Sequence, residues 1–378
     1  MKASIHRSAT LLLFIIFFAC GNSDAQKGKP NSNSPKQSLK FRHFSYTDQQ
    51  GTGIEAFSFL LPQDWQYEGG ITWILDNPAM PATAAFRVYN TKGNDEFEAF
   101  PNRCYFWTTN LQLLGMFPPG TKYFGSTVKL PVNALTAIKK IIIPQERKNY
   151  ANLKIISESD LPELAVALGA GKQAAGAGES GATGAKVRIA YQKNGLEMEE
   201  EIYAVVEKIT FPVQSMTGTF FNTIWFVDYI FSFKGEKGRL EDQTKIYQTI
   251  TSSFRTNPKW FAKYSNTIEY LAQQQIRQIR SVGEFSRMLS QMSDQMRTDQ
   301  MAQFESRNNV YDKVSEKFSD NMLGIDRYYD PFEERQVELP SGYNHAWCNN
   351  NGEYILSDNP NFNPNVGSNL GWKELEKK

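Results

Sequence analysis

The sequence predicts an α+β protein: a three-layer α/β/α sandwich on a mainly antiparallel sheet, followed by a long helix and a small β/turn-rich C-terminal tail. Three observations predict it. Short apolar runs at meander spacing, broken by Gly, Pro and Asn, fill the first two thirds of the chain. The run Phe220–Phe233 is apolar on both faces of a strand, which places cover on both sides of it. From Trp260 the apolar spacing becomes three and four, the period of a helix.

The chain opens on the basic residues Lys2, His6 and Arg7 and an apolar run from Leu11 to Ala19. Residues 1–19 thus read as a secretory signal peptide. The run is about half the ~20 residues a helix needs to span a bilayer core, so no permanent span is expected. Phe17-Phe18-Ala19-Cys20 resembles the lipobox of bacterial lipoproteins. That resemblance implies a diacylglycerol on the Cys20 thiol and cleavage before it, with residues 20–40 as a lipidated polar tether. Phe17 and Phe18 depart from the family's usual Leu and small residue. The alternative is cleavage after Ser23-Asp24-Ala25, which releases a soluble periplasmic or secreted protein. Gly21 after the cysteine is similar to enteric lipoproteins sorted to the outer membrane.

A net charge of +1 over 378 residues leaves no electrostatic footprint for nucleic acid. With Cys20 lipidated, Cys104 and Cys348 remain, either as a disulfide of an oxidising envelope or as two separate buried thiols. The three histidines, His6, His43 and His345, argue against a histidine-rich metal site. No metal and no cofactor is expected.

Residues 41–257 form the expected α/β domain. Phe41–Tyr46, Ile54–Leu61, Ile71–Leu75 and Thr83–Tyr89 read as strands, and Cys104–Leu114 is ambiguous between strand and helix. Pro131 opens a helix that runs through Ile143. Leu153–Ser157 is a strand, and Asp160 caps a short helix, Leu161–Leu168. Residues 169–184 form a flexible Gly/Ala loop that lacks the Gly-Lys-Ser/Thr ending of a phosphate loop. Val187–Gln192, Glu200–Phe211 and Phe220–Phe233 follow as strands, and the acidic run of Glu197 and Glu199–Glu201 reads as a solvated strand entrance. In the last strand Trp225, Val227, Tyr229, Phe231 and Phe233 alternate onto one face. Asp228 falls on the other. It is either a structural, hydrogen-bonded acid or a carboxylate opening into a cleft. Leu240–Phe254 is an amphipathic helix.

This order resembles the PsbP/DcrB-like superfamily over about residues 41–255. The phrases that carry it are Phe57-Ser58-Phe59-Leu60-Leu61-Pro62-Gln63-Asp64-Trp65 and Ile250-Thr251-Ser252-Ser253-Phe254. The resemblance implies an α/β/α sandwich and a non-catalytic accessory or binding role, with no catalytic residues to carry over. The mature chain also resembles uncharacterised bacterial lipoproteins that share the Ser253-Phe254-Arg255 and Pro258-Lys259-Trp260 junction.

Residues 258–322 are the long helical segment, with a seam at Phe261, Tyr264, Ile268, Leu271, Ile279, Val282, Phe285, Leu289, Met292 and Met296. It packs on its own domain, turns back as a hairpin, or binds a protein partner, for which Met288, Met292 and Met296 offer an adaptable surface. Residues 323–378 form the tail. Its expected strands are Val337–Leu339, Tyr343–Cys348 and Tyr354–Leu356, and its Asx-Pro turns sit at Asp330, Asn359 and Asn363. His345 and Trp347 are candidate binding residues. Placed three apart in an unbroken strand, His345 and Cys348 point to opposite faces, which disfavours a catalytic pair.

No motif supports hydrolysis, phosphoryl transfer or redox catalysis. The expectation is a non-enzymatic envelope lipoprotein, anchored to the membrane, that binds a protein partner or the cell wall. The alternatives are a carrier for a small apolar ligand held between sheet and helix and, behind it, an enzyme with Asp228 or Tyr229 in a cleft.

Overall fold

The computed structural model describes residues 38–167, 179–216, 218–273 and 325–377, with 288, 289, 295, 297, 298, 300–302, 304 and 305 between them. All belong to one compact unit, Ser38–Lys378. The signal segment, Cys20, Met292 and Met296 lie outside the described residues.

The strands are β1 (Leu39–Thr47), β2 (Glu55–Pro62), β3 (Trp65–Trp73), β4 (Ala82–Asn90), β5 (Glu96–Ala99) and β6 (Arg103–Thr108). Then come α1 (Leu111–Met116), β7 (Lys122–Tyr123), β8 (Ser126–Val128), α2 (Ala134–Ala137), a π-helical turn (Ile138–Ile142) and α3 (Ile143–Glu146). They are followed by β9 (Ala151–Asp160), α4 (Pro162–Ala167), β10 (Ser180–Lys193), β11 (Leu196–Ser215) and β12 (Gly218–Glu236). A 3-10 turn (Leu240–Gln243) leads into α5 (Thr244–Ser252), β13 (Arg255–Thr256) and α6 (Pro258–Gln273). The tail holds β14 (Ile325–Asp330), β15 (Arg335–Pro340), β16 (His345–Cys348), β17 (Glu353–Ser357), β18 (Lys373–Glu374) and β19 (Glu376–Lys377).

The molecule is mixed α+β with mostly antiparallel sheet. The largest sheet runs β3-β4-β5-β12-β11-β10-β9, with β6 also on β12 and the small strands β7 and β8 beside it. A second sheet runs β13-β2-β1-β17-β16-β18, so the tail hairpin β16–β17 pairs with the first described strand. A third holds β15-β14-β19. The ladders are antiparallel except β6 with β8.

The ambiguous Cys104–Leu114 segment resolves into both alternatives, β6 and then α1, whose cap is Asn110 Oδ1 accepting from Gln112 N and Leu113 N. The helix expected from Pro131 starts after Asn133, which accepts from Thr136 N, and its π turn absorbs Pro144. A proline there has no N–H, and its ring would press on the carbonyl one turn back. Asp160 ends β9 rather than capping a helix, and α4 starts at Pro162 rather than Leu161. Of the Gly/Ala loop, Ser180–Gly184 is strand. Gly184 is needed there, because a Cβ would stand 2.6 Å from Leu161 O and 2.9 Å from Leu164 Cβ, where α4 crosses the strand. All three Asx-Pro turns form: Asp330, Asn359 and Asn363 each accept the N–H two residues on.

Three expectations are corrected. First, the β12 face does not run unbroken from Trp225 to Phe233. Tyr203 pairs Phe231 while Val205 pairs Asp228, so β12 carries one extra residue. Tyr229 takes φ +49° at that bulge. The phase flips: Trp225, Val227 and Ile230 join the core under α2 and α3, whereas Tyr229, Phe231 and Phe233 join the core with β2, β4 and α5.

Second, Glu197 is solvated as expected, but Glu199–Glu201 is not. It lies mid-sheet between β10 and β12, with Glu200 fully buried and Glu199 8% exposed. Each acid has a cation: Glu199 takes Arg188, Glu200 takes Arg147 at 2.6 Å, and Glu201 takes Lys186 at 3.2 Å.

Third, the long helix does not run straight. A continuous helix would put residue 289 about 39 Å from residue 263. Instead Lys263 Nζ donates to Leu289 O at 2.9 Å, Gln300 Nε2 to Asn266 Oδ1 at 3.1 Å, and the Phe304 ring lies 5.5 Å from that of Phe261. The chain returns along α6, as in the hairpin alternative.

Candidate functional site

The bulge that breaks β12 puts two adjacent residues, Asp228 and Tyr229, against the same space. In an unbroken strand they would point to opposite sheet faces. Here both border a cavity of about 150 Å³ between the largest sheet and the α5–α6 corner. Its floor is Ile71 of β3 and Ala82–Ala84 of β4. The small alanines leave the room, and bulkier residues at those positions would fill it. Phe57 of β2 and Phe254 form one side, with rings 5.3 Å apart and stacked at 26°. Trp260, Phe261 and Tyr264 of α6 form another, with the Trp260 and Tyr264 rings 5.5 Å apart and stacked at 12°. Phe254 stands where it does because Ser253 and Phe254 close α5, and Asn257 N–H to Ala56 O turns the chain directly into α6. A second lobe of about 100 Å³ shares Ala84, Asn102, Tyr229 and Phe254 with the first.

The α6 wall is held by a residue outside the cavity. Asp48 is fully buried in the β1–β2 turn. Its carboxylate accepts from Gly51 N (3.1 Å), Thr52 N (3.0 Å), Trp73 Nε1 (3.1 Å) and Trp260 Nε1 (3.0 Å). Two indoles that are far apart in sequence are thereby fixed by one acid, with ring centroids 6.1 Å apart. The pattern Asp48-Gln49-Gln50-Gly51-Thr52 is legible as an Asx turn. Its long-range indole partners carry no sequence signal.

Of the residues singled out from sequence, Asp228, at 3% exposure, and Tyr229 border this cavity, as do Phe261 and Tyr264 of the expected helical seam. Met288 is half-buried. His345 Nδ1 is 2.6 Å from Glu374 Oε1, while Cys348 turns inward to Asp330 Oδ1 at 3.8 Å, so the structure does not bring His345 and Cys348 to one site. Trp347 sits half-buried between them on β16. Among the described residues no cluster of His, Cys, Asp and Glu has the makings of a metal site.

Cys104 and Cys348 are free, buried thiols in different sheets. Burial pushes the Cys104 thiol up to about 11, against hydrogen bonds with Ser126 and Asn77 and with a smaller push from the charge of Asp228. Burial and then the Asp330 carboxylate push Cys348 up to about 12. The thiolate is the reactive form. Alkylation of the native protein at pH 8 is therefore expected to leave both unmodified over a time in which the urea-unfolded chain is labelled fully. Peptide mass mapping reads the result, and labelling of either cysteine in the native fold would contradict it.

No protein-family model matches the chain, and no curated protein matches it. Among solved structures it is similar to LpqN of Mycobacterium tuberculosis, a protein involved in cell envelope biogenesis. The likeness covers 58% of this chain and 92% of that one at 10% identity and a TM-score of 0.21, a level that says nothing of role. No helix among the described residues is long and apolar enough to cross a membrane.

Proposed function

We propose that this chain is an envelope lipoprotein, anchored through Cys20, that works by binding rather than catalysis, and that the aromatic cavity over Asp228 is its binding site. One observation carries the reading: a mostly apolar cavity with few polar groups, at the junction of sheet and helices, where ligand sites concentrate. Its ~150 Å³ suits a guest of one ring, since an apolar cavity of about this size holds benzene. We infer with it a PsbP/DcrB-like layering, with the α2–α3 helix on one face of the largest sheet, and the outer membrane as the location.

The test is the melting temperature of the full chain against a panel of one-ring compounds. A guest that binds only the folded state raises it. Ala84 borders both lobes, so Ala84→Leu is expected to abolish the rise. A rise that survives Ala84→Leu, or no rise with any compound, sinks the reading.

A second observation favours a protein partner at another place. Leu111 and Met116 of α1 and Phe124 of the β7–β8 turn are 81%, 72% and 73% exposed. Exposed apolar residues gathered at one sheet edge mark interaction surfaces. Crosslinking in native membranes should capture a partner with the unaltered protein and lose it with Leu111→Asp and Phe124→Asp together. Equal capture by both proteins removes this surface from consideration.

A further inference from the structure

We propose that a second site, a groove on the outer face of the sheet shared by β1 and β17, takes a short neutral glycan of about two sugar rings. It is independent of the cavity over Asp228. The groove measures about 330 Å³, roughly twice that cavity, and opens to solvent. Its floor follows from strand alternation. β1 and β17 turn Phe41, Tyr354 and Leu356 into the core they share with β14 and β15. Lys40, Glu353 and Ile355 therefore face the other way, with Lys40 directly across from Ile355. Gln63 N–H to Lys40 O, at 2.9 Å, sets Gln63 beside them. Ile355 is nonetheless only 4% exposed, because the stretch from Phe362 to Trp372 roofs this face.

That roof is fastened throughout. Asn359 and Asn363 each accept the N–H two residues on, and Ser368 Oγ accepts from Leu370 N at 3.3 Å. Asn365 closes the loop on Trp372 with two hydrogen bonds, Trp372 N to Oδ1 at 2.8 Å and Nδ2 to Trp372 O at 2.9 Å. A loop held this way keeps its side chains in place before a ligand arrives, which lowers the ordering cost of binding. It brings Phe362 and Trp372 into the wall, beside the exposed aliphatic side chains of Val366 and Leu370.

The wall selects among ligand classes. It carries one cation, Lys40, and one acid, Glu353, together with the amides of Gln63 and Asn363 and the hydroxyl of Ser368. A phosphate group asks for several cations or a nest of backbone N–H groups. A lipid chain would strip water from these polar side chains and return no hydrogen bond. An extended peptide is read by pairing with an open strand edge, and β1 and β17 are each paired on both edges. A sugar ring matches both halves of the wall. Its C–H faces pack on aromatic and aliphatic side chains, while its hydroxyls donate and accept around the edge. Asn and Gln amides also do both, and the Glu353 carboxylate, whose Oε2 receives Asn349 Nδ2 at 2.7 Å, accepts with two oxygens. Since a cavity of about 150 Å³ holds one benzene-sized ring, this groove has room for two rings.

The test titrates the full chain with cellobiose, maltose and N,N′-diacetylchitobiose, each against its monosaccharide, by ligand-observed NMR. At least one disaccharide is expected to bind with a Kd of about 1 mM or tighter, about tenfold or more below that of its monosaccharide. Phe362→Ala is expected to weaken binding about tenfold by removing a ring, and Gln63→Ala about threefold by removing a hydrogen bond. Weakening by either variant with an unchanged amide spectrum supports the groove. Should Phe362→Ala disturb the fold, the exposed Gln63→Ala decides. Ala84→Leu, which fills the other cavity, is expected to leave the affinity unchanged. No binding of any of the three to the unaltered protein would overturn the proposal. Binding that survives both groove variants, or that Ala84→Leu removes, would overturn it too, because the sugar would then sit elsewhere. The melting shifts with one-ring compounds judge the cavity over Asp228 separately.

Discussion

Replacing Asp48 with alanine is expected to cost about 4 kcal/mol of folding stability and to loosen the α6 wall of the cavity. The magnitude follows from what the carboxylate does. It is fully buried and accepts hydrogen bonds from two backbone amides and two indoles. Alanine leaves those donors buried without their acceptor, and each stranded donor costs about 1–3 kcal/mol, less whatever water recovers. Asp48→Asn keeps one acceptor oxygen and places an amide NH₂ toward donors, so a loss of about 2 kcal/mol is expected. Urea unfolding followed by tryptophan fluorescence measures both, and Trp73 and Trp260 report directly on the released wall. An alanine variant within about 0.5 kcal/mol of the unaltered protein, the range of an ordinary surface change, would mean that Asp48 is not the clamp described. A clamp that fails must also take the cavity with it, so the alanine variant should no longer show a melting rise with any one-ring compound that raises that of the unaltered protein.

Much of the sheet was legible in the sequence because period-two patterning and turn residues are local. The strands at Phe41–Tyr46, Ile54–Leu61, Thr83–Tyr89 and Tyr354–Leu356 fall within β1, β2, β4 and β17, give or take an end residue. The Asn349–Gly352 turn closes the tail hairpin, with Gly352 at φ +71°. What escaped were features set by contacts across the chain. The β12 bulge leaves no mark in composition, since either phase of that run is apolar. Three consecutive glutamates read as solvated because the cations that bury them, Arg147, Lys186 and Arg188, arrive from other segments. The long seam left packing, hairpin and partner binding open, because heptad spacing does not record where a chain reverses. Asp228 was picked out as an acid on an apolar strand. The rings around it come from β2, from Phe254 just after α5 and from α6, which sequence had no means of bringing together.

Arg147→Met is the second substitution with a large expected effect, a loss of about 3–5 kcal/mol. Arg147 follows α3 and reaches down to the sheet, where its Nη2 lies 2.6 Å from Glu200 Oε1 and 2.6 Å from Glu98 Oε2. Lys234 of β12 holds Glu98 at 2.6 Å and Glu96 at 2.8 Å. The guanidinium also lies over the rings of Phe100 and Tyr150, at 4.7 and 5.2 Å. Methionine fills the volume but leaves Glu200, with no exposure at all, to Lys234 alone. The pH dependence follows from the same charges. Burial by itself would raise the Glu200 pKa, but Arg147 and then Lys234 outweigh it and hold the carboxyl below its ordinary value of 4.5. A carboxyl depressed in the folded state stabilises above its unfolded value, and that contribution is lost as pH falls through the folded value. Stability contributed by Glu200 should therefore be level at neutral pH and decline below about 4.5. Glu200→Gln should flatten this part of the acid decline, measured by urea midpoints between pH 3 and pH 7. The double variant Arg147→Met with Glu200→Leu separates ionic from packing effects. Apolar replacement of a whole buried pair is often neutral, so it should recover most of the loss of Arg147→Met. A double variant as unstable as Arg147→Met alone would show that the guanidinium acts through Glu98, Phe100 and Tyr150 rather than through Glu200.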